Sequence, residues 1–319
     1  MPEGGIWNQY WHYDRIASCF DDAGRANYAD EIAEGWRSFF ASLPNGTRIL
    51  DLCTGNGAAA LIAAETGRAE ARQFRIVAVD QADIDPACHV SRHEEDYAAI
   101  IFLRGTRVEA LPFPGGGFGA VISQYGIEYS DLEHSVPEAV RMVAPGGRLR
   151  LVVHAADGVV ARDARAVIAD ADLLLEEIDL PGHAERCFEA VLAVERGGGD
   201  TALADASFAA FQDALVRAAG QVPRAADRTM FRNSGAVLLD SFQRRSHFDL
   251  EQLLAKVEQV RSEIAAHRGR LAALVEAALD AKAANALADR IGALGGVAAS
   301  RPLESGAGLI GHVVAARFP

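Results

Sequence analysis

An α/β protein built on a doubly wound, mostly parallel seven-stranded sheet is the fold class this sequence predicts. Three observations carry that expectation. Short apolar runs alternate with helical stretches from about Thr47 to His154, and the C-terminal segment Gly296 to Phe318 returns to strand texture. A long helix-patterned block separates the two. The sheet is therefore expected to end in an antiparallel C-terminal hairpin and to carry a large helical insertion after the fifth strand.

Taken in order, Arg48-Ile49-Leu50-Asp51-Leu52 is a buried strand, and the following helix runs from Ala58 to Thr66 and stops at Gly67. Arg75 to Asp80 is a second strand that ends in an acid. Ile100 to Leu103 is a third and Ala120 to Ser123 a fourth. A helix from Val136 to Val143 ends at Pro145-Gly146-Gly147, and Arg148 to His154 is the fifth strand. Strands alternating with helices imply parallel βαβ units.

From about Asp157 to Arg290 the chain is rich in Ala, Leu, Glu, Asp and Arg at helical spacing. Its breaks are Pro181-Gly182, Gly197-Gly198-Gly199 and Gly220 to Pro223. Leu250 to Leu279 forms one or two long helices, with Leu253, Leu254, Val257, Val260 and Ile264 on one face, a pattern of core or dimer interface. The hairpin follows as Gly296 to Leu303, a turn through Ser305 to Gly308, and Leu309 to Phe318. Three parts result: an N-terminal helical and aromatic segment (1–46), a sheet core (47–156 with 291–319), and a helical insertion (157–290) that serves as substrate lid, dimer interface or both.

The 319 residues are half hydrophobic and 24% charged, enough for a sizeable buried core and too apolar for disorder. The net charge of −13 argues against a nucleic-acid partner, since phosphate contacts need clustered cations. Lys256 and Lys282 are the only lysines. Cys19, Cys53, Cys88 and Cys187 lie far apart, without the spacing of a zinc site or a disulfide framework, and no metal is expected. No apolar run approaches the ~20 residues of a membrane helix, and Met1 to Gly5 lacks the start of a signal peptide. A soluble cytoplasmic protein is expected.

The stretch Asp51-Leu52-Cys53-Thr54-Gly55-Asn56-Gly57 follows the first strand and opens the first helix. A glycine-rich turn there lets backbone approach a ligand, and the helix start offers free N–H donors. Alone, Gly55-x-Gly57-x-x-Ala60 also fits a dinucleotide fingerprint. Asp51 shifts the balance, because an acid at the strand end repels a pyrophosphate and attracts an ammonium group. Asp80, 23 residues beyond Gly57, ends the second strand where an acid accepts from ribose hydroxyls.

At this point the chain resembles the class I S-adenosylmethionine-dependent methyltransferases, whose sheet is Rossmann-like. The stretches that carry the resemblance are DLCTGNG (51–57), VAVDQAD (77–83), ALPFPGGGFGAVISQYGIEY (110–129) and RMVAPGGRL (141–149). With the hairpin they cover about half the chain. The resemblance implies S-adenosylmethionine as cofactor and S-adenosylhomocysteine as product. It implies that Asp51, Cys53, Gly55, Asn56 and Gly57 hold the methionine end, that Asp80 binds the ribose and that Gln81 lies beside the adenine. It also implies that Ser123, Gln124 and Tyr125, after the fourth strand, border both the methyl donor and the acceptor. Three departures stand out. Cys53 replaces the first glycine of DxGxGxG. Arg107 stands where many relatives have an acid, which leaves the adenine to backbone at Arg107 and Val108. Ser123-Gln124-Tyr125-Gly126 differs from the motif of amino-methylating nucleic-acid enzymes.

The implied reaction is an in-line displacement, in which alignment contributes up to about 7–11 kcal/mol in ideal intramolecular cases. A base is required only for an acceptor that arrives protonated. His134 and His154 are the candidate catalytic bases, with plain surface or strand-end histidines as the alternative. Tyr10, Trp11, Tyr13, Tyr125, Glu128 and Tyr129 are candidates for the acceptor's surroundings. The aromatics from Trp7 to Tyr13 suit either a lid or a segment packed on the sheet's flank. In the insertion, Arg224, Arg228, Arg232, Arg244 and Arg245 suit an acidic group, and Phe208, Phe211, Phe231 and Phe242 an apolar one. The expected function is methyl transfer to an oxygen or nitrogen of a small-molecule or peptidic acceptor in a biosynthetic pathway, with a homodimer through the insertion as an option. Its rivals are a non-catalytic cofactor binder whose helical block meets a protein, another reaction on the same cofactor, and a nicotinamide enzyme.

Overall fold

The computed structural model describes residues 5–17, 27–28, 30–91 and 93–319. It divides into two compact units, residues 1–162 with 274–319, and residues 163–273. In the first, helices α1 (Gly5–Trp11) and α2 (Asp30–Ala41) precede β1 (Arg48–Leu52). Then come α3 (Ala58–Ala69), β2 (Arg75–Val79), the single turns α4 (Pro86–His89) and α5 (Glu94–Tyr97), β3 (Ile100–Leu103) and β4 (Phe118–Gln124). Helix α6 (Leu132–Met142) leads into β5 (Val143–Val153). The strand order is β3-β2-β1-β4-β5-β7-β6, with β6 (Val297–Ser305) and β7 (Gly308–Arg317) as the antiparallel pair.

The central strands are apolar on both sides because both faces are covered. Ile49, Ala120, Ile122 and Val152 pack with Trp36, Phe40 and Leu61 on one face. Leu50, Leu52, Val121 and Leu151 pack with Val136, Ala139 and Met142 on the other. Crossovers β1–α3–β2 and β4–α6–β5 place the strand ends side by side, and the order reverses between β1 and β4. Ligands bind at such a reversal in open α/β sheets.

Several boundaries differ from the sequence expectation; α6, for one, starts at Leu132 and not at Val136. Helix α3 continues through Gly67 to Ala69. A Cβ on Gly67 would stand 3.0 Å from the Phe74 ring and 3.1 Å from the Arg72 carbonyl, so this glycine admits a close return of chain and does not end the helix. Strand β5 pairs with β4 from Val143, and the Pro145-Gly146-Gly147 stretch is a bulge in the ladder, with Gly146 at φ 75°.

The second unit is helical. It takes in most of α7 (Val159–Asp172), all of α8 (Leu180–Glu195), α9 (Thr201–Gln221) and α10 (Arg228–Gln243), and most of α11 (Leu250–Ala277). Its own core includes Phe188, Phe211, Phe231, Leu253, Val257, Val260 and Ile264. Leu254 is only half-buried. Phe208 stacks on Phe242 at 5.1 Å, and Phe211 and Phe231 are fully enclosed, so these rings build a core and not an acceptor groove. Arg244 and Arg245 pair with Asp240 and Glu195.

Helix α12 (Ala281–Ala293) packs on β6 and β7 through Leu287, Ala288 and Ile291. Residues 274–290 of the expected helical block therefore belong with the sheet. Within the sheet unit, Leu279 N–H donates to the His154 carbonyl at 2.9 Å, and Ala156 N–H donates to the Leu279 carbonyl at 3.0 Å. No helix among the described residues is long and apolar enough to cross a membrane. Cys53, Cys88 and Cys187 are free thiols, and Cys19 lies outside the described residues.

Candidate functional site

The turn after β1 is built from left-handed backbone at Cys53 (φ 53°), Gly55 (φ 54°) and Gly57 (φ 83°). Gly57 is obligatory, since a Cβ there would stand 2.8 Å from the Phe102 ring. Cys53 bears its Cβ in a conformation that costs a side-chain residue about 1–2 kcal/mol. Thr54 N–H donates to the Val79 carbonyl at 3.0 Å and Gly57 N–H to the Thr54 carbonyl at 2.9 Å, which ties the turn to the end of β2.

Asp51, almost wholly buried, accepts on Oδ2 from the Thr54 hydroxyl at 2.6 Å and from Ala60 N–H at 3.2 Å. Its Oδ1 has no partner. Burial pushes its pKa up to about 7, and nearby Asp80 adds to the rise. Across from it, Gln124 accepts from the Trp36 indole on Oε1, and its Nε2 is buried without a partner. Both side chains line a small pocket of about 20 Å³, closed by Trp11, Ile16 and Tyr28. One unpaired acceptor and one unpaired donor in a common pocket match an ammonium and a carboxylate.

Trp11, Cys53 and Tyr125 are shared walls between this pocket and a cleft of about 440 Å³. The cleft is also lined by Trp7, Asp80, Gln81, Thr106, Arg107, Val108, Glu109, Tyr129 and Asp131. Asp80 accepts from Gly55 N–H at 2.7 Å and Ala82 N–H at 2.8 Å, and burial raises its proton affinity against those bonds. Arg107 lies 3.5 Å from Glu109. Burial, then the carboxylates of Asp80, Glu128, Glu109 and Asp51, push the Cys53 thiol well above its ordinary pKa, so it stays protonated.

The expected acceptor and catalytic residues separate into several groups. Trp11, Tyr125 and Tyr129 line the cleft. Tyr10 packs beneath it with Trp11, Ala82 and Ile84, and Tyr13 is 53% exposed, so neither is a wall. The Ser123 hydroxyl donates to the Leu52 carbonyl and accepts from Ile127 N–H, both at 3.0 Å, bracing β1 against the turn after β4. Asn56 turns away from the cleft and donates to the Trp11 and Arg15 carbonyls at 3.0 and 2.8 Å. The Tyr125 hydroxyl donates to the Ile310 carbonyl at 2.9 Å.

His134 is exposed, with its ring on Asp131 at 2.6 Å. His154 is buried off the cleft, stacked on Tyr125 at 4.1 Å and edge-on to Tyr129. Glu128 Oε1 accepts from His154 N–H at 2.9 Å and lies 2.8 Å from its Nδ1. Both histidines thus stand apart from the lining.

In the sequence Trp7 stands out only as part of an aromatic cluster, and nothing singles out Thr106 or Glu109. The first comes close through the packing of α1, and the other two through the loop after β3, where spacing gives no signal. Glu65, His93 and Asp96 bring ligand atoms within 4.8 Å of one another away from the cleft, and Arg68 holds Asp96.

Residues 49–147 match the methyltransferase domain family. A demethylmenaquinone methyltransferase of Thermus thermophilus is 38% identical over 105 residues, which is 32% of this chain and 44% of that protein. The chain thus spans less than half the length of that curated relative. Among solved structures, the YcgJ protein of Bacillus subtilis is 23% identical, covering 46% of this chain and 59% of that one at a TM-score of 0.33. A 1,6-didemethyltoxoflavin-N1-methyltransferase from Burkholderia thailandensis is 19% identical, covering 40% and 55% at 0.32. The matched domain runs from β1 to the bulge of β5 and carries the Asp51 turn, Asp80 and the end of β4 in the order the motifs require. Over residues 49–147 the chain thus carries a match to a methyltransferase domain, set on a sheet of order β3-β2-β1-β4-β5-β7-β6.

Proposed function

We propose that this protein transfers the methyl group of S-adenosylmethionine to an oxygen or nitrogen of a small-molecule or peptidic acceptor, as a step of a biosynthetic pathway in the cytoplasm. The observation that carries the proposal is the buried Asp51 carboxylate with one unpartnered oxygen, facing the unpartnered Gln124 amide in the same pocket. An unpaired buried acceptor and donor are costly, and a zwitterionic amino-acid end supplies the missing partners of both.

The residues present fit the cofactor. Asp51 takes the ammonium, Gln124 the carboxylate, Asp80 the ribose hydroxyls, and Gln81 with the backbone of Arg107 and Val108 the adenine. When bound, the cofactor supplies a methyl group on a sulfonium that is already a good leaving group. The protein's part is alignment and exclusion of water. Trp7 and Tyr129, edge to face at 5.4 Å, form an aromatic wall against which an acceptor lies. The Glu128–His154 pair holds Tyr125 and Tyr129 from behind. The neutral Cys53 thiol does not compete as a nucleophile.

The first test is thermal unfolding with S-adenosylmethionine, S-adenosylhomocysteine and NAD in parallel, on the wild type and Asp51→Ala. Ligand at a hundredfold over its Kd stabilises by about 2.7 kcal/mol, a rise of several degrees for a chain of this size. Both adenosyl ligands are expected to give that rise in the wild type only, and NAD none. A rise with NAD alone would refute the cofactor assignment.

A second reading, a non-catalytic binder of the same cofactor, is favoured by the position of His134 and His154 off the cleft wall. Release of S-adenosylhomocysteine in a screen of amine, phenol, carboxylate and thiol acceptors decides for catalysis. Its absence beside intact binding decides for the binder.

A further inference from the structure

Helix α2 reaches β6 on one face of the sheet, and four arginines lie on that same face along β5, β7 and β6. By the register, Arg148 on β5 stands opposite Arg317 on β7, and Arg150 opposite Ala315, which in turn pairs with Ala299 on β6. Arg301 is two residues along β6 from Ala299. Side chains alternate along a strand, so all four arginines point to the same face. Between them lie Ala299, Ala315 and Val297, the last 81% exposed.

No ion pair is formed by any of the four among the described residues. Arg148 donates to the Ser42 hydroxyl at 2.7 Å. Arg150 lies over the Trp36 ring at 4.8 Å and the Phe39 ring at 5.6 Å, and its Nε is buried without a partner. Four arginines gathered on one face without a carboxylate stand out in a chain with 44 acids to 31 bases, where Arg68, Arg141, Arg261 and Arg290 each pair with one. Like charges directly opposite one another on neighbouring strands destabilise a sheet, and a half-buried guanidinium without a counter-ion is costly.

From this juxtaposition we propose that the β5–β7–β6 face docks an amphipathic acidic helix of a protein partner. Its carboxylates would pair with Arg148, Arg150, Arg301 and Arg317, and its apolar side chains would cover Val297, Ala299 and Ala315. The occupant follows from charge complementarity with four arginines that lack carboxylate partners and from the exposed apolar Val297 among them. Self-association about a twofold axis is disfavoured because symmetry would set arginine against arginine. Nucleic acid is disfavoured because the apolar strip between the arginines offers phosphates nothing and the chain as a whole is acidic.

The probe is a labelled peptide of about twenty residues, long enough to form a helix, with Glu on one face and Leu on the other. Binding to the full chain is followed by fluorescence anisotropy at low salt. The wild type is expected to bind it, and Arg301→Glu with Arg317→Glu to weaken binding at least about fivefold, as loss of two exposed ion pairs implies. Both sites are exposed, and an unchanged melting temperature confirms that the variant folds. A peptide with Lys in place of Glu should bind the double variant better than the wild type. No binding, binding indifferent to the charge reversal, or tighter binding of a single-stranded oligonucleotide would overturn the proposal. So would a dimer of the wild type that the double variant abolishes.

Discussion

Asp51 has two hydrogen-bond donors on one carboxylate oxygen and none on the other, and burial moves its pKa from 3.8 to about 7. The sign of the consequence follows from linkage. The folded state holds the proton more tightly than the unfolded state, so stability from this group is full below pH 3.8 and is lost as pH rises through about 7. Asp51→Asn, which cannot ionise, should therefore melt a few degrees above the wild type at pH 8, with a smaller difference at pH 4. Cofactor binding has the opposite slope. An ammonium pairs with the ionised carboxylate, so affinity for S-adenosylhomocysteine should rise with pH up to about 7 and level off, approaching tenfold per pH unit on the acid side. Calorimetric titration between pH 5.5 and 8.5 checks this. A flat profile in the wild type, or an unchanged slope in Asp51→Asn, would show that Asp51 does not face the ammonium.

A second residue-scale prediction concerns Gly126. A Cβ at this position would stand 2.5 Å from Cys53 Cβ and 2.8 Å from the Cys53 carbonyl, where the turns after β1 and β4 meet. Gly126→Ala should cost about 1–3 kcal/mol by overpacking, read as a lower urea midpoint with an unchanged slope. Asp51 and Asp80 were legible in sequence because a strand-end acid is a local signal. The contact of Cys53 with Gly126, far apart in sequence, was not.

At the scale of elements, the N-terminal segment is tied to the glycine turn through Asn56, and to the residues after β2 through Asn8, His12 and Asp14. Asn56 Nδ2 bonds the carbonyls of Trp11 and Arg15, while the Trp11 ring lies over Gly55, where a Cβ would approach it to 2.4 Å. The small pocket holding Asp51 and Gln124 has room for little more than a water molecule. An amino-acid end enters only if Trp11 and its neighbours move outward. Asn56→Ala is expected to speed proteolysis within the first 17 residues and to raise the Kd for S-adenosylhomocysteine severalfold, since the segment then closes less well over the ligand. Limited proteolysis followed by mass spectrometry checks this, and cleavage at the wild-type rate would show that Asn56 is not a tether. The strands were readable from apolar runs bounded by turn residues, because buried parallel strands leave that signature. The seat of α1 was not readable. Its aromatics suit a lid and a flank equally, and its seat rests on hydrogen bonds to Asn56, Asp83 and Ser91, all far along the chain. The end of α3 was misplaced for a related reason, since Gly67 answers to the returning chain at Phe74 and not to the helix's own propensity.

At the scale of the whole molecule, the sequence announced a helical block between sheet segments, yet its border fell elsewhere. Helix α12 has the composition of the block, but its Leu287, Ala288 and Ile291 pack against the sheet, and only contact distinguishes it from its neighbours. The residues lining both pockets all belong to the sheet unit. The helical unit has a core of its own, and within the sheet unit Ala155 and Leu279, on either side of it in sequence, form a bridge. These facts predict the result of an excision. Joining residue 158 to residue 277 through a short Gly-Ser linker removes the helical unit close to the Ala155–Leu279 bridge, and closing so short a loop costs little. The shortened protein should fold cooperatively and bind S-adenosylhomocysteine within about tenfold of the full chain, a difference of up to about 1.4 kcal/mol. Methyl transfer to an acceptor identified for the full chain is the second readout. Retained binding with lost transfer would assign the helical unit to the acceptor, whereas loss of both with an intact fold would mean that the cofactor site depends on residues beyond its lining.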